Sequence, residues 1–223
     1  MHLRISKKIL IYLLIFFLVG TLNNKKISNF TFPKIDKIEI VGLTEFENNS
    51  LSQDLYMLRN LNIFFLEKNQ ISEIIKSNKI IEKFSIFKNY PSNLIIKIKK
   101  TKLLAYTKKN NSVYYLASNG NLIETNDNQI NLPYIFGNVE IEEFLKFKKI
   151  IDNSSFNYND INNLYYFKSK RWDIETKKNL IIKLPIKNLE SSFEILLKIF
   201  QEDKFMNFNI IDLRQNNQVI LNE

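Results

Sequence analysis

Residues 9–22 read ILIYLLIFFLVGTL, an uninterrupted apolar run with Arg4, Lys7 and Lys8 before it and Lys25 and Lys26 after it. Such a run has no polar face, so it cannot lie on a soluble core as an amphipathic helix. Two readings remain. A bilayer span asks for ~17–25 apolar residues, and the run is short for that. Ile5 and the aliphatic stems of Lys7 and Lys8 lengthen it by snorkelling. A signal peptide has a positive start, a short apolar stretch and small residues at its cleavage site. Here the cleavage candidate is Val19-Gly20-Thr21, and Thr is a poor last residue. An uncleaved anchor over residues 9–22 is the expectation, with a cleaved leader as the alternative. Both readings address the chain to a membrane. The basic N-terminus favours a cytoplasmic tail over residues 1–8, which sends residues 23–223 across.

The composition removes most catalytic chemistry. Cysteine is absent, and His2 is the lone histidine. No thiolate, imidazole base or catalytic triad can be built. Neither G-x-G-x-x-G nor G-x-x-x-x-G-K occurs, so no phosphate-cradling loop is marked. Glu142 and Glu143 are adjacent on a predicted helix and face different directions, which suits a solvated face better than an acid–base pair. The expectation is no enzyme, with no catalytic residue, metal, cofactor or small-molecule substrate. The net charge of +9 invites a nucleic-acid reading. Arg4, Lys7 and Lys8 supply three of those charges, which leaves 29 bases against 23 acids. Spread over the remaining length, that describes a mildly basic solvated surface, so nucleic acid is not the expected partner.

Periodicity divides the remainder after a polar linker over residues 23–33. Ile35–Val41 alternates as a strand and ends at Gly42. Ser50-x-x-Gln53 has a capping-box pattern ahead of Leu51, Leu55 and Leu58. Asn69 is placed to cap a helix carrying Ile71, Ile74 and Ile75. Ile81–Lys88 and Leu94–Ile98 read as strands around a turn at Asn89–Asn93. That order is strand, helix, helix, strand, strand over residues 34–101. Beyond Lys102, Val113–Leu116 and Leu122-Ile123 flank Asn119-Gly120 as a hairpin with a primed turn. Ile141, Phe144, Leu145 and Ile151 mark an amphipathic helix with a wet Glu142–Lys146 pair. Asn163–Lys168, Trp172–Thr176 and Leu180–Leu184 read as a meander. A helix follows over Leu189–Phe200, then strands at Phe208–Arg214 and Val219–Leu221. Residues 102–223 thus read as a mostly antiparallel β unit with a few helices, and the whole chain as α+β.

These segments resemble the cell division protein FtsQ/DivIB family. KIEIVG at Lys37–Gly42, NIFFL at Asn62–Leu66 and YPSNLII at Tyr90–Ile96 resemble its POTRA domain. YLASNGNLI at Tyr115–Ile123, LPYIFG at Leu132–Gly137, RWDIETKKNLIIKLP at Arg171–Pro185 and IDLR at Ile211–Arg214 resemble its following β domain. The chain departs from the pattern at Lys100–Ala105, where an acid and a proline are missing, at Ala117, where the hairpin carries Asp, and at Gln215, where relatives carry an aromatic.

The resemblance implies a non-catalytic, single-span scaffold of the inner membrane at the division septum, with its bulk in the periplasm. It would link early and late division proteins, regulate septal wall synthesis and dock FtsB/FtsL-like partners and other divisome components. The expected docking segment is a free C-terminal strand edge formed by Gln215, Asn216, Asn217, Gln218, Val219, Ile220 and Leu221, with Arg171 nearby. A POTRA-type secretion or assembly factor and a secreted basic binding module are the rival classes.

Overall fold

The structure is a computed structural model that describes residues 7–22, 33–125, 131–201, 208–215 and 218–222. Helix α1 spans Lys7–Leu22. At 1.5 Å per residue it is about 24 Å long. From Ile9 to Val19 its apolar side chains are 47–75% exposed. Among the described residues no helix is long and apolar enough to cross a membrane.

Residues 33–100 build one core. Strand β1 (Lys37–Val41) leads to helix α2 (Glu45–Asp54), a 3-10 turn (Tyr56–Asn60) and helix α3 (Lys68–Ser77). Strands β2 (Ile81–Asn89) and β3 (Asn93–Lys100) complete it. The sheet order is β1-β3-β2, with β1 parallel to β3 and β2 antiparallel to it. The element order matches the sequence reading. Leu51 of α2, Leu55 at its C-terminal cap, and Ile71 and Ile75 of α3 are fully buried in one cluster with Leu94 and Ile96 of β3. Both predicted helix starts are corrected. The Glu47 carboxylate accepts from the Thr44 backbone N–H at 2.9 Å and its hydroxyl at 2.8 Å. That contact starts α2 ahead of Ser50, which lies inside the helix. Asn69 is likewise inside α3, whose cap position is Glu67.

The second core is one large sheet covered on one face by two helices. Its strands are β4 (Leu103–Lys109), β5 (Ser112–Ala117), β6 (Leu122–Thr125), β7 (Tyr134–Phe136), β8 (Ile161–Tyr166), β9 (Trp172–Thr176), β10 (Ile181–Lys183), β11 (Ile210–Asp212) and β12 (Ile220–Asn222). Helices α4 (Ile141–Asn153) and α5 (Leu189–Phe200) supply the cover. Among the described residues the order is β12-β11-β10-β9-β8-β7-β4-β5-β6. Five joints are antiparallel. Three are parallel, at β4–β7, β7–β8 and β10–β11. The last two follow from helical crossovers, because α4 joins β7 to β8 and α5 joins β10 to β11.

Packing follows the two-residue strand period. Across β7–β12, direct partners on the inward face run Ile135, Leu164, Ile174, Ile182, Ile211 and Leu221. Trp172 is the aromatic keystone beside this row. It stacks flat on Phe147 of α4 at 4.5 Å and meets Tyr166 at 4.7 Å.

Four local expectations are corrected. Strands β4 and β7 were not anticipated. The primed hairpin lies at Asn110–Asn111, both with positive φ, between β4 and β5. At the predicted primed turn only Gly120 has positive φ, and its N–H donates to Ala117 O at 3.1 Å. Asn121 O accepts from Ala117 N–H at 3.0 Å. That is a three-residue loop with a bulge, the solution when one residue of the pair is left-handed. On α4, Lys146 pairs with Glu143 at 2.8 Å rather than with Glu142.

This hairpin loop joins the two cores. Asn119 Nδ2 donates to Lys79 O at 2.9 Å and Ile81 O at 3.1 Å. Ser118 Oγ accepts from Lys102 N–H at 3.0 Å and lies 3.1 Å from Thr101 Oγ1. The first unit is thus clasped at the end where its chain exits.

Gly137 tests the packing of β7. Its φ is +99°, and an added Cβ would meet Tyr166 O at 2.1 Å. At Gly120 a Cβ would meet nothing within 4 Å. Gly120→Ala is therefore expected to cost about 1 kcal/mol, the left-handed backbone penalty. Gly137→Ala should cost more than about 3 kcal/mol, since the backbone carbonyl must also move. Urea unfolding of the two variants checks this, and equal losses would contradict it.

Candidate partner-docking edge

Strand β12 pairs antiparallel with β11 through Ile210–Asn222, Ile211–Leu221 and Asp212–Ile220, and among the described residues it is the last strand on that side of the sheet. An edge strand turns half of its N–H and C=O groups away from its neighbour. Leu221 lies on the inward face and packs against the core. Ile220 and Val219 are exposed at 45% and 37%. Gln215 and Gln218 are exposed in the approach to the strand. Asn216 and Asn217 lie outside the described residues.

Beside the inward row runs an outward one. Direct partners from β7 to β12 are Phe136, Tyr165, Asp173, Lys183, Asp212 and Ile220. At one end the Phe136 ring stacks on Tyr165 at 4.8 Å. Tyr165 OH donates to Glu175 Oε2 at 2.6 Å, and Asn163 Nδ2 donates to the same oxygen at 3.0 Å. These donors hold the Glu175 carboxyl below its ordinary range, with the Tyr165 bond the largest cause. The same bond pushes the Tyr165 hydroxyl up to about 12.

The middle of the row is charged. Arg171 grips Asp173 with a fork, Nε to Oδ1 at 3.1 Å and a terminal nitrogen to Oδ2 at 3.2 Å. Its guanidinium also lies 4.1 Å from the Phe167 ring centroid. Arg214 grips Asp212 in the same way, with Nε 2.8 Å from Oδ1. The Arg214 backbone N–H donates to that oxygen at 3.0 Å. The Arg214 side chain holds the Asp212 carboxyl below its ordinary range, with a smaller contribution from Lys183. The pair also raises the Arg214 guanidinium.

The structure brings Gln218, Val219, Ile220 and Leu221 to the edge and Gln215 close to it. It does not put Arg171 beside them. Strands β10 and β11 intervene, which is roughly 14 Å at the usual strand spacing. Asp173 and Lys183, between Arg171 and the edge, were missed by sequence reasoning. Their signal was a polar residue flanking an apolar one on each strand, Trp172-Asp173-Ile174 and Ile182-Lys183-Leu184. Only the strand order shows that the two rows coincide.

With this geometry in place, relatives become informative. The family model described as cell division protein FtsQ/DivIB, C-terminal, matches residues 105–214. The cell division protein FtsQ of Rickettsia bellii (strain RML369-C) is 23% identical over 197 residues, covering 83% of this chain and 70% of the relative. The cell division protein DivIB of Clostridium tetani (strain Massachusetts / E88) is 24% identical over 168 residues, covering 75% and 61%. The match over residues 105–214 and these relatives support the FtsQ/DivIB family for this chain. A neighbour among solved structures is the major extracytoplasmic domain of DivIB from Geobacillus stearothermophilus, at TM-score 0.34 and 12% identity over 43% of this chain and 87% of that one. The names of these relatives support a role in cell division. The stretch matched by the family model ends at Arg214, just before the candidate docking segment.

The Asp212 clamp makes the edge acid-sensitive. A depressed folded-state carboxyl stabilises above the unfolded Asp value of about 3.9, and that contribution is lost as pH falls through the lower folded value. Asp212→Asn is expected to cost about 1–2 kcal/mol at neutral pH, since Arg214 is half exposed. It should also flatten the acid limb of the stability profile below pH ~4. Thermal unfolding of both proteins from pH 7 to 3 reads this, and parallel profiles would contradict it.

Proposed function

We propose that this chain is a non-catalytic bitopic scaffold of the division machinery, which links early and late division proteins and regulates septal wall synthesis. In this reading the apolar run over residues 9–22, lengthened by snorkelling of the flanking lysine stems, is the single span in the inner membrane. Residues 1–8 are cytoplasmic, and the remainder lies in the periplasm at the septum. Residues 34–101 are the POTRA domain, and residues 102–223 are the partner-binding β domain. An FtsB/FtsL-like segment docks by adding a strand to β12.

The observation that carries this reading is β12 itself. Among the described residues it is an edge strand whose outward Ile220 is apolar and exposed, and Val219, just before it, is exposed too. Edges left for solvent are commonly protected by charge or proline, and β12 carries neither. An added strand gains main-chain hydrogen bonds along the edge, while alternate side chains set specificity. The clamped charges of the outward row lie on the face that such a partner would overlap. Lys183 and the half-exposed Arg214 favour acidic side chains there. The anchor reading draws on α1, whose apolar side chains from Ile9 to Val19 are 47–75% exposed. Lysines 7, 8, 25 and 26 flank the apolar run, as they would at the two interfaces of a span.

Val219→Pro combined with Ile220→Lys places a proline at the start of the edge strand and a charge on it. Capture of membrane partners by the tagged full chain should fall at least about tenfold, the equivalent of ~1.4 kcal/mol. The melting temperature of the β unit should change little, because neither side chain is buried. Unchanged capture would reject docking by strand addition.

A further inference from the structure

A second apolar surface lies at the opposite pole of the molecule. Where the chain enters the first unit, Ile35 N–H donates to Leu61 O at 3.0 Å, and Asp36 N–H donates to Ser92 O at 2.9 Å. Lys34 forms a bridge with Asn62. The chain entry, the segment Leu61–Leu66 and the β2–β3 turn therefore share one end of the unit. At that end Phe64 stacks on Tyr90 at 4.8 Å. Phe65 and Met57 are exposed at 73% and 68%. Arg59 sits 5.6 Å from the Tyr56 ring centroid. The other end of the unit, by contrast, is clasped by the Asn119 hairpin loop.

We propose that this aromatic rim rests on the surface of an anionic phospholipid bilayer. Three observations select that occupant. The rim lies at the end of the unit where the chain enters, and only residues 23–32 separate Pro33 from α1. Fully extended, such a linker reaches at most about 36 Å, so an α1 seated in lipid keeps the rim close to the headgroups. The chemistry also fits an interface, with aromatic rings and a methionine to enter the headgroup layer. Lys34 and Arg59 add positive charge for anionic lipid. Resting on lipid would fix the direction in which the two units project and hold β12 away from the bilayer. This inference depends on α1 being the membrane anchor.

The chain has no native cysteine, so single-cysteine variants of the full chain can be labelled at one site each with an environment-sensitive fluorophore. The labelled sites are Phe65→Cys and Met57→Cys on the rim, Lys178→Cys on the β unit and Leu14→Cys in α1. Each protein is reconstituted into phosphatidylcholine vesicles with and without one-quarter phosphatidylglycerol. The expected result is a blue shift and quenching by interface-labelled lipid at positions 65 and 57, stronger with phosphatidylglycerol, and aqueous emission at 178. Water-like emission at 65 and 57 alongside a deep signal at 14 would overturn the rim contact and leave the anchor standing. A water-like signal at 14 would overturn the anchor and the rim contact with it. A blue shift at 65 that persists in lipid-free detergent and weakens on dilution would assign the rim to a second copy of the chain and overturn the lipid proposal.

Discussion

The β unit depends on one continuous buried row. Ile135, Leu164, Ile174, Ile182, Ile211 and Leu221 are direct partners across six adjacent strands. Because the side-chain period of a strand is two, a one-residue slip at any joint would expose the whole row beyond it. The row therefore fixes the register from the sheet's middle to its last strand. Leu221, its final member, holds β12 in place and leaves Ile220 and Asn222 on the outside. The aromatic stack of Trp172 on Phe147 and the helices α4 and α5 cover this row. The same register thus produces both the core and the docking edge.

The outward row inherits that register without being packed by it. An open sheet face would ordinarily be a string of independent polar residues. Here Arg171–Asp173 and Arg214–Asp212 are forked pairs within their own strand ends, and Lys183 stands between the two acids. Asp173 and Asp212 are nearly inaccessible despite lying on the open face. Their burial beneath guanidinium groups keeps the charges compensated, which an unpaired buried carboxylate would not be. The strip is a rigid, polar approach to an apolar edge, a layout suited to setting the orientation of a partner segment before its strand pairs.

How much of this can be read from the sequence varies with locality. The first unit was almost fully readable, since its strands alternate cleanly and its helices carry isoleucines and leucines on one face. Helix starts shifted because Thr44 and Glu47 make a stronger cap than the Ser50 pattern. In the β unit, β4 and β7 were unreadable for different reasons. Leu103-Leu104-Ala105 does not alternate, and Tyr134–Phe136 is only three residues long and follows a proline. Val219–Leu221 was readable as a strand, and its edge position was a reasonable guess from chain order. The place of Arg171 was not, because strand order in a sheet is a tertiary property. The charged strip was invisible for the same reason. Its members come from separate strands and meet only through register.

The two units divide the work by position. A hairpin loop with Asn119 at its tip pins the exit end of the first unit to the second, while the entry end carries the aromatic rim. The docking edge therefore stands at the far end of a linked pair. The most direct measurement of the central claim is amide hydrogen exchange on the full chain, alone and in complex with division partners purified from cells. Slowed exchange confined to the amides of 218–222, with β11 unchanged, is the predicted result. Unaltered exchange at those amides, with protection appearing elsewhere on the sheet, would contradict the account.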